Sequence, residues 1–223
     1  MPSRRPIILA HRGASGHRCE NSLEAFREAR TLGADGVELD VHTTKDGGLV
    51  VHHDPGLPGL GSIADLELEQ VRRHRLSNGE PVPDLASALS ALEGLEVWIE
   101  LKTLPSSSDS ELLTTIDDSP SPDACAVHSF DHRIVARIGS RRPGLRRGIL
   151  STAYPMDPFA QLVAAGANTL WQEWHLIDTQ LVDGIHRMGA KLIAWTVNDA
   201  ALAHRLTELG VDGLCGNFPE RLA

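Results

Sequence analysis

One local pattern recurs along this chain and narrows the folds open to it. An amphipathic helical stretch ends at a glycine, two or three small or polar residues follow, and then a short apolar run begins. It occurs at Gly33-Ala34-Asp35-Gly36-Val37-Glu38-Leu39, at Gly166-Ala167-Asn168-Thr169-Leu170-Trp171, at Gly189-Ala190-Lys191-Leu192-Ile193-Ala194-Trp195 and at Gly210-Val211-Asp212-Gly213-Leu214. Each glycine sits where a helix C-cap needs positive φ. The stretches before the first, third and fourth have helical spacing: Leu23, Phe26, Ala29; Leu181, Ile185, Met188; Leu202, Leu206, Leu209. Asn21 or Ser22 can cap the first helix, and Glu24 adds negative charge to its first turn. Alternating helices and strands imply a mainly parallel sheet with helices outside.

The candidate strands are 6–11, 37–42, 48–53, 95–101, 124–129, 147–151, 168–172, 191–196 and 213–215. A closed barrel has eight places, so one of these lies outside it. The repeat runs the length of the chain without a Gly-rich dinucleotide loop, which favours a TIM-type (β/α)8 barrel over an open doubly wound sheet. Only Thr43 to Gly47 separates 37–42 from 48–53, too short for a helical crossover, so these two should form an antiparallel hairpin. Residues 55–83 carry glycine, proline and charge with one weak helical stretch, Ile63 to Val71, and read as an excursion after the third strand. No linker divides the chain, so residues 1–223 are expected to form a single barrel domain.

Charge excludes several function classes. With 21 Lys and Arg against 30 Asp and Glu, the net charge is −9, the wrong sign for a nucleic-acid protein. The densest basic cluster, Arg141, Arg142, Arg146 and Arg147, is interrupted by Pro143 and Gly144 and reads as solvated loop charge. No apolar run approaches the roughly 18 residues of a membrane span. Met1-Pro2-Ser3-Arg4-Arg5-Pro6 leads into an apolar run that stops at Ala10, too short for a signal peptide. Cys19, Cys125 and Cys215 are odd in number and far apart, as expected of reduced cytosolic thiols. A cytoplasmic location is the expectation.

Ionisable residues gather at the ends of the expected strands. His11 and Arg12 end the first, Glu38 and Asp40 lie in the second, His53 and Asp54 end the third, and Glu100 and Lys102 end the fourth. Strand residues two apart share a face, so Glu38 and Asp40 point together, as do Glu100 and Lys102. A two-residue turn at Asp46-Gly47 would set Asp40 directly across from His53. Like charges held that close are costly unless a cation neutralises them. Three carboxylates without cysteine point to one hard divalent ion, Mg2+ or Ca2+, with Mn2+ also admitted. Two histidines beside it can act as general acid and general base. Arg12 and Lys102 would add positive charge for a phosphoryl group. Metal, acid, base and phosphate clamp together describe phosphodiester hydrolysis. Trp195, at a strand end, is placed either as an apolar wall for the substrate or as barrel packing; for Trp171 and Trp174 packing is favoured. Glu20 and Asn21 could bind a second ion or substrate, although a helix cap alone accounts for Asn21.

The chain resembles the glycerophosphodiester phosphodiesterases. The matching pieces include His11-Arg12-Gly13, Glu20-Asn21-Ser22, Glu38-Leu39-Asp40-Val41, Thr44-Lys45-Asp46-Gly47 and Val50-Val51-His52-His53-Asp54. Further on come Pro83-Asp84-Leu85, Glu100-Leu101-Lys102, Ser129-Phe130-Asp131, Trp195-Thr196-Val197-Asn198 and Gly210-Val211-Asp212-Gly213. The resemblance implies a TIM-type barrel with a divalent metal on Glu38, Asp40 and Glu100. It implies His11 and His53 as the acid–base pair, Arg12 and Lys102 on phosphate, and a small-molecule glycerophosphodiester as substrate. It also implies attack by the adjacent glycerol hydroxyl on phosphorus, followed by opening of a cyclic phosphate by water.

Departures from the family pattern bear on substrate choice. Cys19 replaces the usual proline, the excursion after His53 is short and lacks the common Arg-Thr-Thr, and Gly216-Asn217-Phe218-Pro219 stands where Thr-Asp is more frequent. A shorter cover over the barrel mouth suits a bulkier alcohol or a lysophospholipid, making a lysophospholipase D-type phosphodiesterase the nearest alternative. A non-catalytic barrel binding phosphorylated ligands is the non-enzyme alternative. A zinc amidohydrolase would need His-x-His on the first strand, where this chain has His11-Arg12-Gly13.

Overall fold

A computed structural model describes residues 5–222 of the chain. The reading of Met1–Pro6 as too poor a lead for a signal peptide falls mostly outside those residues. In chain order the described elements are β1 (Ile7–His11), α1 (Leu23–Thr31), β2 (Gly36–Thr43), β3 (Leu49–Val51), β4 (Gly56–Leu57), β5 (Gly61–Ser62), α2 (Leu68–Arg73), α3 (Leu85–Ala91) and β6 (Glu96–Leu101). They continue with α4 (Asp109–Asp117), β7 (Cys125–Ser129), α5 (His132–Arg141), β8 (Arg146–Ser151), α6 (Pro158–Ala165), β9 (Thr169–Glu173), α7 (Thr179–Arg187), β10 (Lys191–Trp195), α8 (Ala200–Leu209) and β11 (Gly213–Gly216).

Eight strands close into a parallel barrel in the order β1-β2-β6-β7-β8-β9-β10-β11, because β1 pairs with both β2 and β11. The candidate strand outside the barrel is β3, which runs antiparallel along β2. Local chemistry explains the helix boundaries. Ser22, Asp84, Asp131, Asp157, Asp178 and Asp199 each accept a backbone N–H at a helix start. Five of the 30 acidic residues are thus engaged in capping. At the other ends Gly33, Gly166, Gly189 and Gly210 all take positive φ, as the recurring pattern requires.

Two apolar layers hold the barrel. Leu9, Trp98, Ala126, Leu150, Trp171, Ile193 and Cys215 fill its interior. Outward-facing strand residues pack on the helices, for example Val37, Leu39 and Ile99 against Phe26, Leu85 and Leu112. The excursion carries a cluster of its own, in which Leu57, Ile63, Leu66, Val71 and Val82 pack on Val50 of β3. Its helical part is a 3-10 turn over Ile63–Asp65 followed by α2, not one stretch.

The hairpin register differs from expectation by one residue. Val41 pairs with Val51 and Thr43 with Leu49, so His52, not His53, lies across from Asp40. The connection is a three-residue loop, Lys45-Asp46-Gly47, with Gly47 at φ +87°. Asp46 stabilises it by accepting from Thr44 Oγ1 and from Leu68 N. The arginine cluster is not free loop charge either. Arg141 pairs with Asp109 and Arg142 with Asp117, Arg146 bonds Glu96 and Ala124 O, and Arg147 ties four backbone carbonyls together.

Candidate active site

Parallel pairing delivers the expected residues to one end of the barrel. Register sets His11 beside Glu38, and Asp40 beside Glu100, which in turn neighbours His128. Glu38, Asp40 and Glu100 are all buried, and one oxygen from each lies within 4.8 Å of the others. Arg12, Lys102, His53 and Trp195 join His11, Glu38 and Glu100 around a small pocket of about 100 Å3. All eight residues singled out in the sequence thus converge, with Asp40 seated just behind the pocket wall through its contacts to Arg12 and Lys102.

Two residues in the left-handed region shape the rim: Arg12 at φ +57° and Asn21 at φ +55°. Side chains rarely adopt this conformation without compensation, at a cost of roughly 1–2 kcal/mol each. Here it is offset by backbone bonds from Arg12 N to Glu38 O, 2.8 Å, and from Asn21 N to Arg12 O, 3.0 Å. Ser22, not Asn21, caps α1. Asn21 instead donates through Nδ2 to Asp40 Oδ2 at 2.8 Å and accepts the Asp40 backbone N–H at 3.3 Å. Glu20 accepts from Arg12 at 2.9 Å.

Electrostatics divides the three carboxylates. Burial, and then repulsion from Asp40, lifts Glu38 to about 7. Burial and the neighbouring Glu38 lift Glu100 to about 7. Burial would raise Asp40 as well, but Lys102, Arg12 and Asn21 outweigh it and hold that carboxyl at about 2. Arg12 Nε approaches Asp40 Oδ2 to 3.0 Å and Lys102 Nζ approaches Asp40 Oδ1 to 2.9 Å. Beyond these two ion-pair contacts, Arg12 Nε and Asp40 Oδ1 have no hydrogen-bond partner among the described residues. A buried, all-oxygen, mutually repelling set of three carboxylates within 4.8 Å fits a divalent cation.

The two expected histidines have different partners. His11 Nδ1 meets Asn217 Oδ1 at 2.8 Å, leaving Nε2 directed toward Glu38 Oε2 at 3.9 Å. His53 Nδ1 meets Asp54 Oδ1 at 2.8 Å. His42 fixes the backbone there, since its Nε2 bonds the carbonyl of His53 at 3.0 Å. Trp195 stands half-buried at the wall, edge-on to Phe130 with ring centroids 5.6 Å apart. Trp171 is fully buried in the barrel interior and Trp174 packs on the outer core, both as packing residues.

One residue escaped the sequence reading. His128 of β7 is fully buried in the pocket floor, its ring 4.3 Å from that of Trp171. Its Nε2 lies 3.7 Å from Glu38 Oε1, and neither ring nitrogen has a hydrogen-bond partner among the described residues. Burial pushes it down to about 4, so the ring is neutral. The signal was its register beside Glu100, legible only once β6 and β7 are drawn as neighbours.

An eight-stranded barrel with carboxylates, imidazoles and cationic side chains at one end of the strands is a TIM-barrel enzyme site, and the family match makes it that of a phosphoric diester hydrolase. The chain belongs to the glycerophosphoryl diester phosphodiesterase family, whose model matches residues 11–221. It is 31% identical to a glycerophosphodiester phosphodiesterase of Caldanaerobacter subterraneus, with 97% of this chain and 96% of that protein covered. Among solved structures it is similar to a phosphodiesterase of Oleispira antarctica in complex with the product sn-glycerol-3-phosphate. There the TM-score is 0.90, the identity 26%, and the coverage 98% of this chain and 95% of the other. A Galdieria sulphuraria structure shares the fold with TM-score 0.90, covering 100% of this chain and 98% of its own. Among the described residues no helix is long and apolar enough to cross a membrane.

Proposed function

We propose that this chain hydrolyses glycerophosphodiesters to glycerol 3-phosphate and an alcohol, with a divalent cation held by Glu38, Asp40 and Glu100. The observation that carries this reading is the meeting of three buried carboxylates within 4.8 Å, beside three imidazoles and two cationic side chains. The hard all-oxygen set suits Mg2+, Ca2+ or Mn2+. When bound, the cation would supply positive charge that draws in a phosphodiester and offsets charge developing on its oxygens.

The partners of the two histidines support different roles for them. An amide oxygen at Nδ1 keeps the proton of His11 on that nitrogen, so Nε2 is free to take a proton as general base. The Asp54 carboxylate at Nδ1 of His53, 2.8 Å away, orients that ring with Nε2 free to protonate the departing alcohol. On this reading His11 activates the glycerol hydroxyl adjacent to phosphorus, and His53 gives a proton to the leaving oxygen. Reversal of the same transfers lets water open the cyclic phosphate. Arg12 and Lys102, placed between the carboxylates and the pocket, orient the phosphoryl oxygens. Trp195 provides an apolar wall for the glycerol carbons.

The test is release of glycerol 3-phosphate from a panel of glycerophosphodiesters, with chelator and cation re-addition. Expected are cation-dependent turnover and its loss in both His11→Ala and His53→Ala, with cation affinity largely retained. Turnover unaffected by chelation, or retained in both variants, would overturn the assignment. Equal rates on substrate with a blocked glycerol hydroxyl would exclude the cyclic route.

A further inference from the structure

A second cleft, larger than the first at about 250 Å3, adjoins the carboxylate site. His53 lines both. Its polar walls come from the rim residues Glu20 and Asn21, from His52, and from His74, Arg75 and Ser77 of the excursion, with Pro58 and Leu76 as apolar lining. The excursion is tied down over this cleft. Ser77 Oγ donates to Cys19 Sγ at 3.3 Å, Asn78 Nδ2 to Glu24 at 3.1 Å, and Glu24 N to Glu80 at 3.2 Å.

The chemistry of these walls is specific. Among the described residues no Trp, Tyr or Phe lines the cleft, and its one carboxylate, Glu20, is already paired with Arg12 at 2.9 Å. A quaternary ammonium group is held by aromatic faces or free carboxylates, and neither is offered here. What the cleft does offer is donors. Arg75 has no ion-pair partner among the described residues, although its neighbours Arg72 and Arg73 pair with Asp84 and Glu69. His74 likewise has no side-chain hydrogen bond among the described residues, and His52 uses only Nδ1, bonded to Asp54 O at 3.0 Å.

Geometry says which arm of the substrate belongs there. If His53 protonates the leaving oxygen, the departing alcohol lies on its side of phosphorus, and the cleft that His53 shares is the larger one. We propose that this cleft is the head-group subsite, and that it selects alcohols bearing negative charge or many hydrogen-bond acceptors over choline. This rests on the phosphodiesterase reading above and adds the substrate class. Arg75 is the specificity-determining charge, with His52 and His74 as further donors.

The test compares kcat/KM of the cation-loaded protein on glycerophosphoinositol, glycerophosphoglycerol and glycerophosphocholine. Wild type is expected to favour the two polyol head groups. In Arg75→Glu the inositol-to-choline ratio should fall about tenfold, mainly through KM, the scale of reversing one exposed charge. Arg75→Gln should fall between the two. Choline cleaved as well as inositol by wild type, or a ratio unmoved in Arg75→Glu, overturns the subsite while leaving the phosphodiesterase intact. No glycerol 3-phosphate from any of the three overturns the underlying reading instead.

Discussion

His11 Nδ1 and Asn217 Oδ1 lie 2.8 Å apart, a bond that joins the end of the first barrel strand to the loop after the last. Asn217 is itself held, its backbone N–H donating to Asn198 Oδ1 at 2.8 Å. The ring proposed as base is therefore oriented by an uncharged side chain, whereas His53 faces a carboxylate. Asn217→Asp should erase this difference by favouring the protonated ring at His11. The acid limb of the kcat/KM profile should then move to higher pH by about one unit. Asn217→Ala should lower kcat without that displacement. Identical profiles for Asn217→Asp and wild type would remove the assignment of His11 as base.

Asn21 is a buried neighbour that holds a carboxylate in place rather than a helix cap. Its amide grips Asp40 from both ends, through Nδ2 and through Oδ1. Partners that orient a ligating carboxylate are worth about 10–100-fold in metal affinity. Calorimetric titration of Asn21→Ala with Mg2+, Ca2+ or Mn2+ should show a loss of that size. The helix itself should remain, because Ser22 supplies the cap. An unchanged dissociation constant would limit Asn21 to a role in packing.

His128 is held at a cost to the fold. A fully buried imidazole with both nitrogens unpartnered forfeits its hydrogen bonds with water on folding. His128→Leu should therefore stabilise the cation-free protein by about 1–2 kcal/mol while lowering turnover, as polar groups retained at functional sites do. Denaturant melts and initial rates on one preparation would check both halves. A variant both less stable and fully active would show that the ring is packing.

The barrel was legible because each helix-glycine-strand unit carries its own punctuation, and Gly33, Gly166, Gly189 and Gly210 behave as that pattern requires. Strand parity placed Glu38 with Asp40 and Glu100 with Lys102 without any tertiary knowledge. The hairpin register was not legible, because Thr44, Asp46 and Leu68 together choose a three-residue loop, and Leu68 is distant in sequence. Asn21 and Ser22 are equally good caps on paper; the left-handed turn at Asn21 decides between them. His128 sits alone among apolar strand residues, and only its neighbour across the ladder marks it out.

The carboxylates make a last prediction that separates the cation from the fold. Folded Glu38 and Glu100 are raised from 4.5 to about 7, so each favours its protonated form in the native state. A raised folded value contributes stability that is fully present below the unfolded value and is lost as pH climbs through the folded one. The chelated protein should therefore lose thermal stability between about pH 5 and about pH 8. Asp40 does not confuse this window, since its depressed value of about 2 places its own transition at acid pH. A divalent cation needs the ionised oxygens, so its binding releases protons and strengthens across the same range. The rise in Tm on adding cation should consequently be small near pH 5 and large near pH 8, with proton release measurable by calorimetry in buffers of different ionisation enthalpy. Glu100→Gln removes one repelling charge, so it should flatten the pH dependence of the chelated protein while abolishing most of the gain from cation. A cation effect of equal size at both ends of the range would mean that the ion binds elsewhere than at these three residues.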